Sequence, residues 1–512
     1  MRRVGGWPAR ACLPHCPAAG DEYPYGAAVR AASVNGAAAN EPDLLVIGAG
    51  PAGAGAAIVA AAQGLRVVLL DEADQAGGQV YRAPRLGLNK RHASMEQSEG
   101  DAQREMLRAS NVAVRLGEIA WSVAGAFRVD TIGPEGPRHY DAPALIVATG
   151  AQERVVPFPG WTTPGVLGLA ATTILLKSQG VLPGRRVLVA GCGPLLAAVG
   201  AGILDLGGEV AAVVDLASRR EWLSSIGALA RRPGELRRGA AWLARLRRAG
   251  VPVLHRATVA SVSQEGAALQ AMVVGIDAMG RRRAADVPRG FTVDAVAIGH
   301  GLVPGTDITR LMRVTHAYDA AAGFWHPVLD DDGRTSVPGL YVAGDAAGIA
   351  GARPAWWRGA LAGLAAVRDL GRLPPASHAR LSAPLRRKAE RAKRFGHAMA
   401  RLMAPRPGLI EGVASETIVC RCEDVTRSEI DAAVSGGATD LNQLKAWTRC
   451  GMGPCQGRMC ADTAAALLLT RGIARQDIGQ FTGRTPLRPV PLDLLTGDYA
   501  YADIVLPPAA PL

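Results

Sequence analysis

At 512 residues the chain exceeds one ordinary core and calls for about three folded units. Hydrophobic residues reach 49%, with 62 Gly and 34 Pro, which fits globular units rich in turns and close backbone approaches. The formal charge is +12, yet aromatic residues are only 4%, so the basic runs at 231–248 and 380–401 read as solvated helix faces. A nucleic-acid groove would need stacking platforms between its cations, and that class of function is excluded.

Residues 1–42 are rich in Pro, Ala and Gly without periodicity and are expected to be a disordered tail carrying Cys12 and Cys16. No apolar export segment follows Met1-Arg2-Arg3. Two uncharged windows, Leu44 to Ala62 and Val187 to Leu204, are long enough to suggest membrane spans. Each contains a Gly-rich turn and a proline, so both read as strand, turn and helix, and no transmembrane segment is expected. Cysteines clustered as in metal sites, without an export signal, predict a reducing cytoplasmic setting.

"DLLVIGAGPAGAGAAIVAAAQGLRVVLLDEA" begins as an apolar strand, turns at Gly48-Ala49-Gly50-Pro51-Ala52-Gly53, continues as an Ala-rich helix and resumes as a strand ending at Asp71. Gly48 permits the tight turn, Gly50 lets the backbone approach a pyrophosphate, and Gly53 lets helix and strand pack closely. The helix N-terminus supplies N–H dipoles for the phosphates. Asp71 closes the second strand, is followed by Glu72, and stands where a carboxylate accepts from the adenosine ribose. Strand, helix, second strand and terminal acid together predict a dinucleotide site.

Far downstream, "VPGLYVAGDAAG" places a strand before Gly344-Asp345, an acid able to hold the ribityl and phosphate region of FAD. With "ALIVATGA", which contains Ala148, Thr149 and Gly150, this order of motifs resembles the pyridine nucleotide-disulfide oxidoreductase superfamily over about residues 43–370. The resemblance implies that "GGQVYR", with Gly78, Gln79 and Arg82, runs along the flavin.

"RRVLVAGCGPLLAAVGAGILDLGGEVAAVVD" repeats the architecture, with Gly191-Cys192-Gly193 at the turn and Asp215 ending the next strand. Leu196 replaces the third glycine, so NAD(P), another nucleotide or an empty fold are all compatible with this second domain. "VDAVAIGHG", Val293 to Gly301, is expected to return the chain to the first domain, with His300 structural. Disulfide reductases of the superfamily carry a Cys pair beside the flavin. Here Cys192 is alone between Cys16 and Cys420 and is expected to be a small buried residue, so electrons must leave the flavin by another route.

After a basic helical linker comes "ETIVCRCEDVTRSEIDAAVSGGATDLNQLKAWTRCGMGPCQGRMC". Two thiolates in a CxC cannot enclose a metal, but Cys455 and Cys460 could complete four ligands for Zn²⁺ or a [2Fe-2S] cluster. The pattern resembles the bacterioferritin-associated ferredoxin-like (BFD-like) [2Fe-2S] module. There the third ligand follows the CxC at a set interval, which in this chain passes Cys450 and lands on Cys455. The fourth ordinarily follows by CxxC, where this chain has Arg458, so the resemblance implies Cys420, Cys422, Cys455 and Cys460 as ligands and Cys450 as surplus. Backbone N–H groups of "GMGPCQG" are expected near the sulfurs.

The fold expected is α/β: two Rossmann-like dinucleotide-binding domains, the FAD domain interrupted by the second, plus a small helical C-terminal [2Fe-2S] domain. The divisions are 43–160 with 293–370 for FAD, 161–292 for the second domain, 371–415 for the linker, 416–470 for the cluster and 471–512 for an extension. With "GRTPLRPVPL" included, nearly everything after residue 42 resembles the opine oxidase A, hydrogen cyanide synthase B and hydroxyproline or proline dehydrogenase alpha subunits. That resemblance implies an FAD- and [2Fe-2S]-containing electron-transfer subunit. Its partner is an FAD-dependent subunit that oxidises an amine or imino acid, with a further small subunit possible; no general base can be nominated in this chain. An NAD(P)H-dependent flavin reductase is the alternative enzyme, and a non-catalytic redox-sensing or assembly subunit the alternative of another class.

Overall fold

The computed structural model describes residues 41–84, 95–229 and 232–496. The tail with Cys12 and Cys16 lies outside the described residues. Two parallel five-stranded sheets carry most of the chain. The first runs in the order Leu340–Val342, Leu145–Val147, Leu44–Ile47, Val67–Asp71, Val112–Leu116. Its inner strands are apolar runs because both faces are covered, one by helices Pro51–Ala62 and Ala352–Asp369 and the other by the antiparallel strands Ile119–Ala124, Arg128–Gly133 and Gly136–Asp141. Helix Pro51–Ala62 packs on helix Ala352–Asp369 through glycines: a Cβ on Gly359 would lie 1.9 Å from the Ala52 carbonyl oxygen, and one on Gly363 2.5 Å from that of Ala56. This contact joins the first and last segments of the discontinuous unit on one face of the sheet.

The second sheet has the order Val253–His255, Glu209–Asp215, Arg186–Gly191, Ala295–Gly299, Val166–Gly168. Here one expected boundary is corrected. Strand Ala295–Gly299 pairs in parallel with Arg186–Gly191 and Val166–Gly168, so it belongs to the second unit rather than returning the chain to the first. The crossing falls at His300 and Gly301, after which Leu302–Pro304 pairs with Ala151–Glu153. An apolar run ending in glycine suits either sheet, so the strand's own composition does not choose between them.

A helix of 28 residues, Pro375–Leu402, crosses from the first unit over the second. The C-terminal module follows, with the short hairpin Ile418–Cys420 and Val425–Thr426 and the helices Arg427–Ser435, Leu441–Thr448 and Ala461–Thr470. Thr426 and Glu429 form a reciprocal capping box at the first of these helices, and Asp440 caps the second. In the described part of the extension, Phe481 is buried in the module's core and Leu487 in that of the first unit. Among the described residues no helix is long and apolar enough to cross a membrane.

Candidate functional site

The first fingerprint forms an open cradle at the carboxyl ends of its sheet. Gly48 has φ +106°, and a Cβ there would lie 2.4 Å from the Ala148 carbonyl oxygen. A Cβ on Gly53 would lie 1.7 Å from the carbonyl oxygen of Gly48, so helix and turn can touch only through glycine. Gly50 differs, because a Cβ there would meet only the Gly78 Cα, at 3.8 Å. Space therefore remains above the backbone where a pyrophosphate approaches. Pro51 opens the helix at its first position, where no N–H is needed.

The other expected residues converge on this turn unequally. Thr149 Oγ1 donates to the Gly305 carbonyl at 3.1 Å, and Gly305 N–H donates to that of Gly150 at 2.9 Å, fixing the Ala148–Gly150 loop. Gly344 abuts Ala52, and Asp345 accepts from Ala350 N–H at 3.1 Å while burial raises its pKa. Asp71 accepts from Ala49 N–H at 2.5 Å and Ala73 N–H at 2.8 Å, one on each oxygen, and burial pushes its pKa up as well. Each oxygen keeps a second lone pair for a ribose hydroxyl. Gln79 and Glu72 are exposed, with Glu72 3.5 Å from Arg488.

Among the described residues, Nε of Arg82 and Oε1 of Gln103 are buried near this turn without a partner. Gln103 is 2% exposed and donates its other amide end to the Ala49 carbonyl at 3.2 Å. Orphaned polar atoms around an open glycine turn fit a polar dinucleotide. Sequence reasoning missed Gln103, which lies on the polar helix Met95–Arg108, well beyond the motif.

The second fingerprint has the same backbone and the opposite surroundings. Gly191 and Gly193 both have positive φ. A Cβ on Gly193 would meet Cγ and Sδ of Met403 at 2.9 Å, because the end of the linker helix lies over the turn. Met399 and Leu402 on the same helix pack with Ala217 and Trp222. Asp215 is 3% exposed and accepts from Ala217 N–H at 2.9 Å and from the Trp222 indole N–H at 2.7 Å, so its carboxylate is already engaged. Leu196, in place of the third glycine, is 3% exposed in the unit's core. Cys192 is buried beneath Met403, and burial pushes its thiol up to about 12.

The module assembles five thiols. The sulfurs of Cys420, Cys450 and Cys460 lie within 4.8 Å of one another, and each residue is 1% exposed or less. Cys422 and Cys455 are partly exposed and touch through their sulfurs. Cys450, which spacing sets aside, therefore sits within the thiol group. The thiols of Cys450 and Cys460, with the backbone N–H groups of Gly451 and Glu423, hold the Cys420 thiol far below its usual range. Of these two, Gly451 belongs to the glycine-rich loop. Glycines also seat the loop: a Cβ on Gly453 would strike Cys422 Cβ at 2.3 Å, and those on Gly451 and Gly457 the Phe481 ring at 2.6 and 2.5 Å. A sulfur-only donor set without carboxylate or imidazole suits an iron–sulfur cluster.

One short segment joins the two centres. From Gly150 the chain passes through strand Ala151–Glu153 to Arg154, whose guanidinium is 4% exposed in its side chain and reaches Asp462 at 3.3 Å and the Gly323 carbonyl at 2.7 Å. Thr463 Oγ1 donates to the Val155 carbonyl at 2.9 Å, Val156 enters the module's core, and the Trp161 indole N–H donates to the Ile418 carbonyl at 2.7 Å. Glu153 caps helix Leu169–Ile174 from the same segment, with burial raising its carboxyl to about 7. His300 is 7% exposed, and burial lowers it to about 4, which leaves its imidazole neutral.

Comparison with known proteins agrees with this geometry. Residues 42–363 match the pyridine nucleotide-disulphide oxidoreductase family, and residues 418–469 match the BFD-like [2Fe-2S] binding domain. The opine oxidase A subunit of Agrobacterium tumefaciens is 35% identical over 468 residues, covering 88% of this chain and 90% of the relative. Hydrogen cyanide synthase subunit HcnB of Pseudomonas aeruginosa is 31% identical over 454 residues, covering 87% and 97%. The crystal structure of L-proline dehydrogenase from P. horikoshii superposes with a TM-score of 0.66 at 22% identity, covering 89% of this chain and 79% of that one, a likeness of fold. FAD and a [2Fe-2S] cluster are accordingly its cofactors. With an open first cradle, a thiol-only module and these matches, the chain belongs to the pyridine nucleotide-disulphide oxidoreductase family, in a branch that carries a BFD-like [2Fe-2S] domain.

Proposed function

We propose that the chain is the electron-transfer subunit of a multi-subunit amine or imino-acid dehydrogenase or oxidase of the opine, hydroxyproline, proline or glycine class. An FAD-dependent partner subunit oxidises the substrate, and this chain carries the electrons to an acceptor. Bound FAD supplies a two-electron carrier and the cluster a one-electron carrier. Gly48, Gly50 and Gly53 cradle the FAD pyrophosphate, with Asp71 and Asp345 toward its ribose and ribityl hydroxyls. Cys420, Cys422, Cys455 and Cys460 are the proposed cluster ligands.

The observation that carries this reading is the segment Gly150–Trp161. It starts in a loop of the flavin cradle and ends bonded to the strand bearing Cys420, so one hydrogen-bonded segment links the two centres. The reductase alternative is weakened by the second fingerprint, whose turn lies under Met403 and whose acid is engaged by Trp222.

The test is turnover. The isolated chain is expected to show none with glycine, proline, hydroxyproline or opines and an artificial dye. Co-expressed with the flavoprotein encoded beside it, it should co-purify and support turnover with one of them. Robust dye-linked oxidation by the isolated chain overturns the proposal.

A further inference from the structure

The five thiols divide unevenly. Cys422 and Cys455 form a pair, while Cys420, Cys450 and Cys460 form a triad of mutually close sulfurs, all buried. A [2Fe-2S] cluster takes two protein sulfurs on each iron. The pair matches that need; the triad exceeds it by one. Cys450 and Cys460 come from the two ends of one loop, the first after helix Leu441–Thr448 and the second at the N-cap of helix Ala461–Thr470. Cys450 N–H is held by Thr448 Oγ1 at 3.2 Å, and the adjoining Gly451 is wedged against Phe481, so the thiol is placed by packing and not by chain slack.

We infer that Cys450 is a reserve ligand: it can take the place of Cys460 on the iron held by the triad, and no thiol can do the same for Cys422 or Cys455. In the exchange one Fe–S(thiolate) bond breaks and one forms. Cys460 takes up the proton that Cys450 gives, so cluster charge and iron oxidation state are unchanged and no oxidant or reductant is required. The inference rests on the [2Fe-2S] assignment of the module and is independent of the electron-relay reading, because its readouts are metal content and spectroscopy.

The experiment uses the full chain, purified without oxygen, with iron, acid-labile sulfide and FAD measured together and electron paramagnetic resonance recorded after dithionite reduction. Cys460→Ala should keep more than about half of the wild-type iron, with altered g values because a different thiolate binds. Cys450→Ala should keep iron with wild-type g values. The double variant should lose most iron, as should Cys455→Ala alone. FAD content reports whether the rest of the chain has folded. Cys460→Ser serves as the second variant should alanine weaken the following helix. Iron loss in both Cys460 variants as complete as in Cys455→Ala, at normal FAD content, overturns the inference; so does a double variant that retains its iron.

Discussion

The two glycine fingerprints repeat one backbone and have opposite fates. Both run strand, turn, helix and strand to a terminal acid, with positive φ at the glycines of the turn. At the first, among the described residues, a Cβ on Gly50 would meet nothing nearer than the Gly78 Cα at 3.8 Å, and the Asp71 carboxylate accepts only from backbone N–H groups. At the second, a Cβ on Gly193 would strike Met403 at 2.9 Å, and the indole of Trp222 engages Asp215. A nucleotide fold is therefore a scaffold, and its use depends on what the rest of the chain lays over the turn. In the second unit the covering element is the helix that leads to the cluster module.

The most severe test of this contrast is Gly50→Val. Because the protein itself leaves room there, the variant should fold yet bind less than about a tenth of the wild-type FAD, its side chain occupying the pyrophosphate position. Flavin absorbance per chain measures this. Retention of stoichiometric FAD would place the dinucleotide elsewhere.

Pyridine nucleotides come next. Anaerobic NADH or NADPH should bleach the flavin at least about a hundredfold more slowly than dithionite does, since the second turn is covered. Rapid bleaching at one equivalent would falsify the contrast itself.

A smaller effect follows from Met403→Ala. Loss of this half-buried side chain should lower stability by about 1–3 kcal/mol in thermal unfolding and leave FAD content unchanged, because its contacts lie at the second turn and not the first. If FAD fell in parallel, the two units would not be separable in this way.

The smallest concerns Glu153, where the two units meet. Its carboxyl is raised from 4.5 to about 7 by burial, so the folded state binds a proton that the unfolded state has released. The stability associated with the protonated form is complete below pH 4.5 and is lost as pH rises through about 7. Glu153→Gln should thus match wild type near pH 4.5 and exceed it at pH 8 by about 1–2 kcal/mol, the shift being discounted for partial exposure. A difference independent of pH would remove burial as the cause.

Much of this is legible in the chain. Glycines at fixed offsets between apolar runs report close backbone approaches, so both fingerprints and the convergence on Asp345 follow from local pattern. Leu196 signals that the second site has changed, but what covers it has no local sign. Met403 is remote from Gly193 in sequence, at the end of a helix whose visible feature is its charge. Sequence alone assigns strand Ala295–Gly299 to the wrong unit because buried parallel strands of both sheets read alike. Counting from the CxC sets Cys450 aside, yet proximity in the folded loop depends on Arg449 and Gly451 turning the chain with positive φ. Gln103 and the Arg154 contacts arise only from tertiary packing.

Burial of the sulfurs also decides where solvent meets the module. Cys420, Cys450 and Cys460 are 1% exposed or less, and Val156 of the flavin unit closes the same core. Cys422 and Cys455 keep partial exposure, so solvent meets the thiol group on their side and not at the triad.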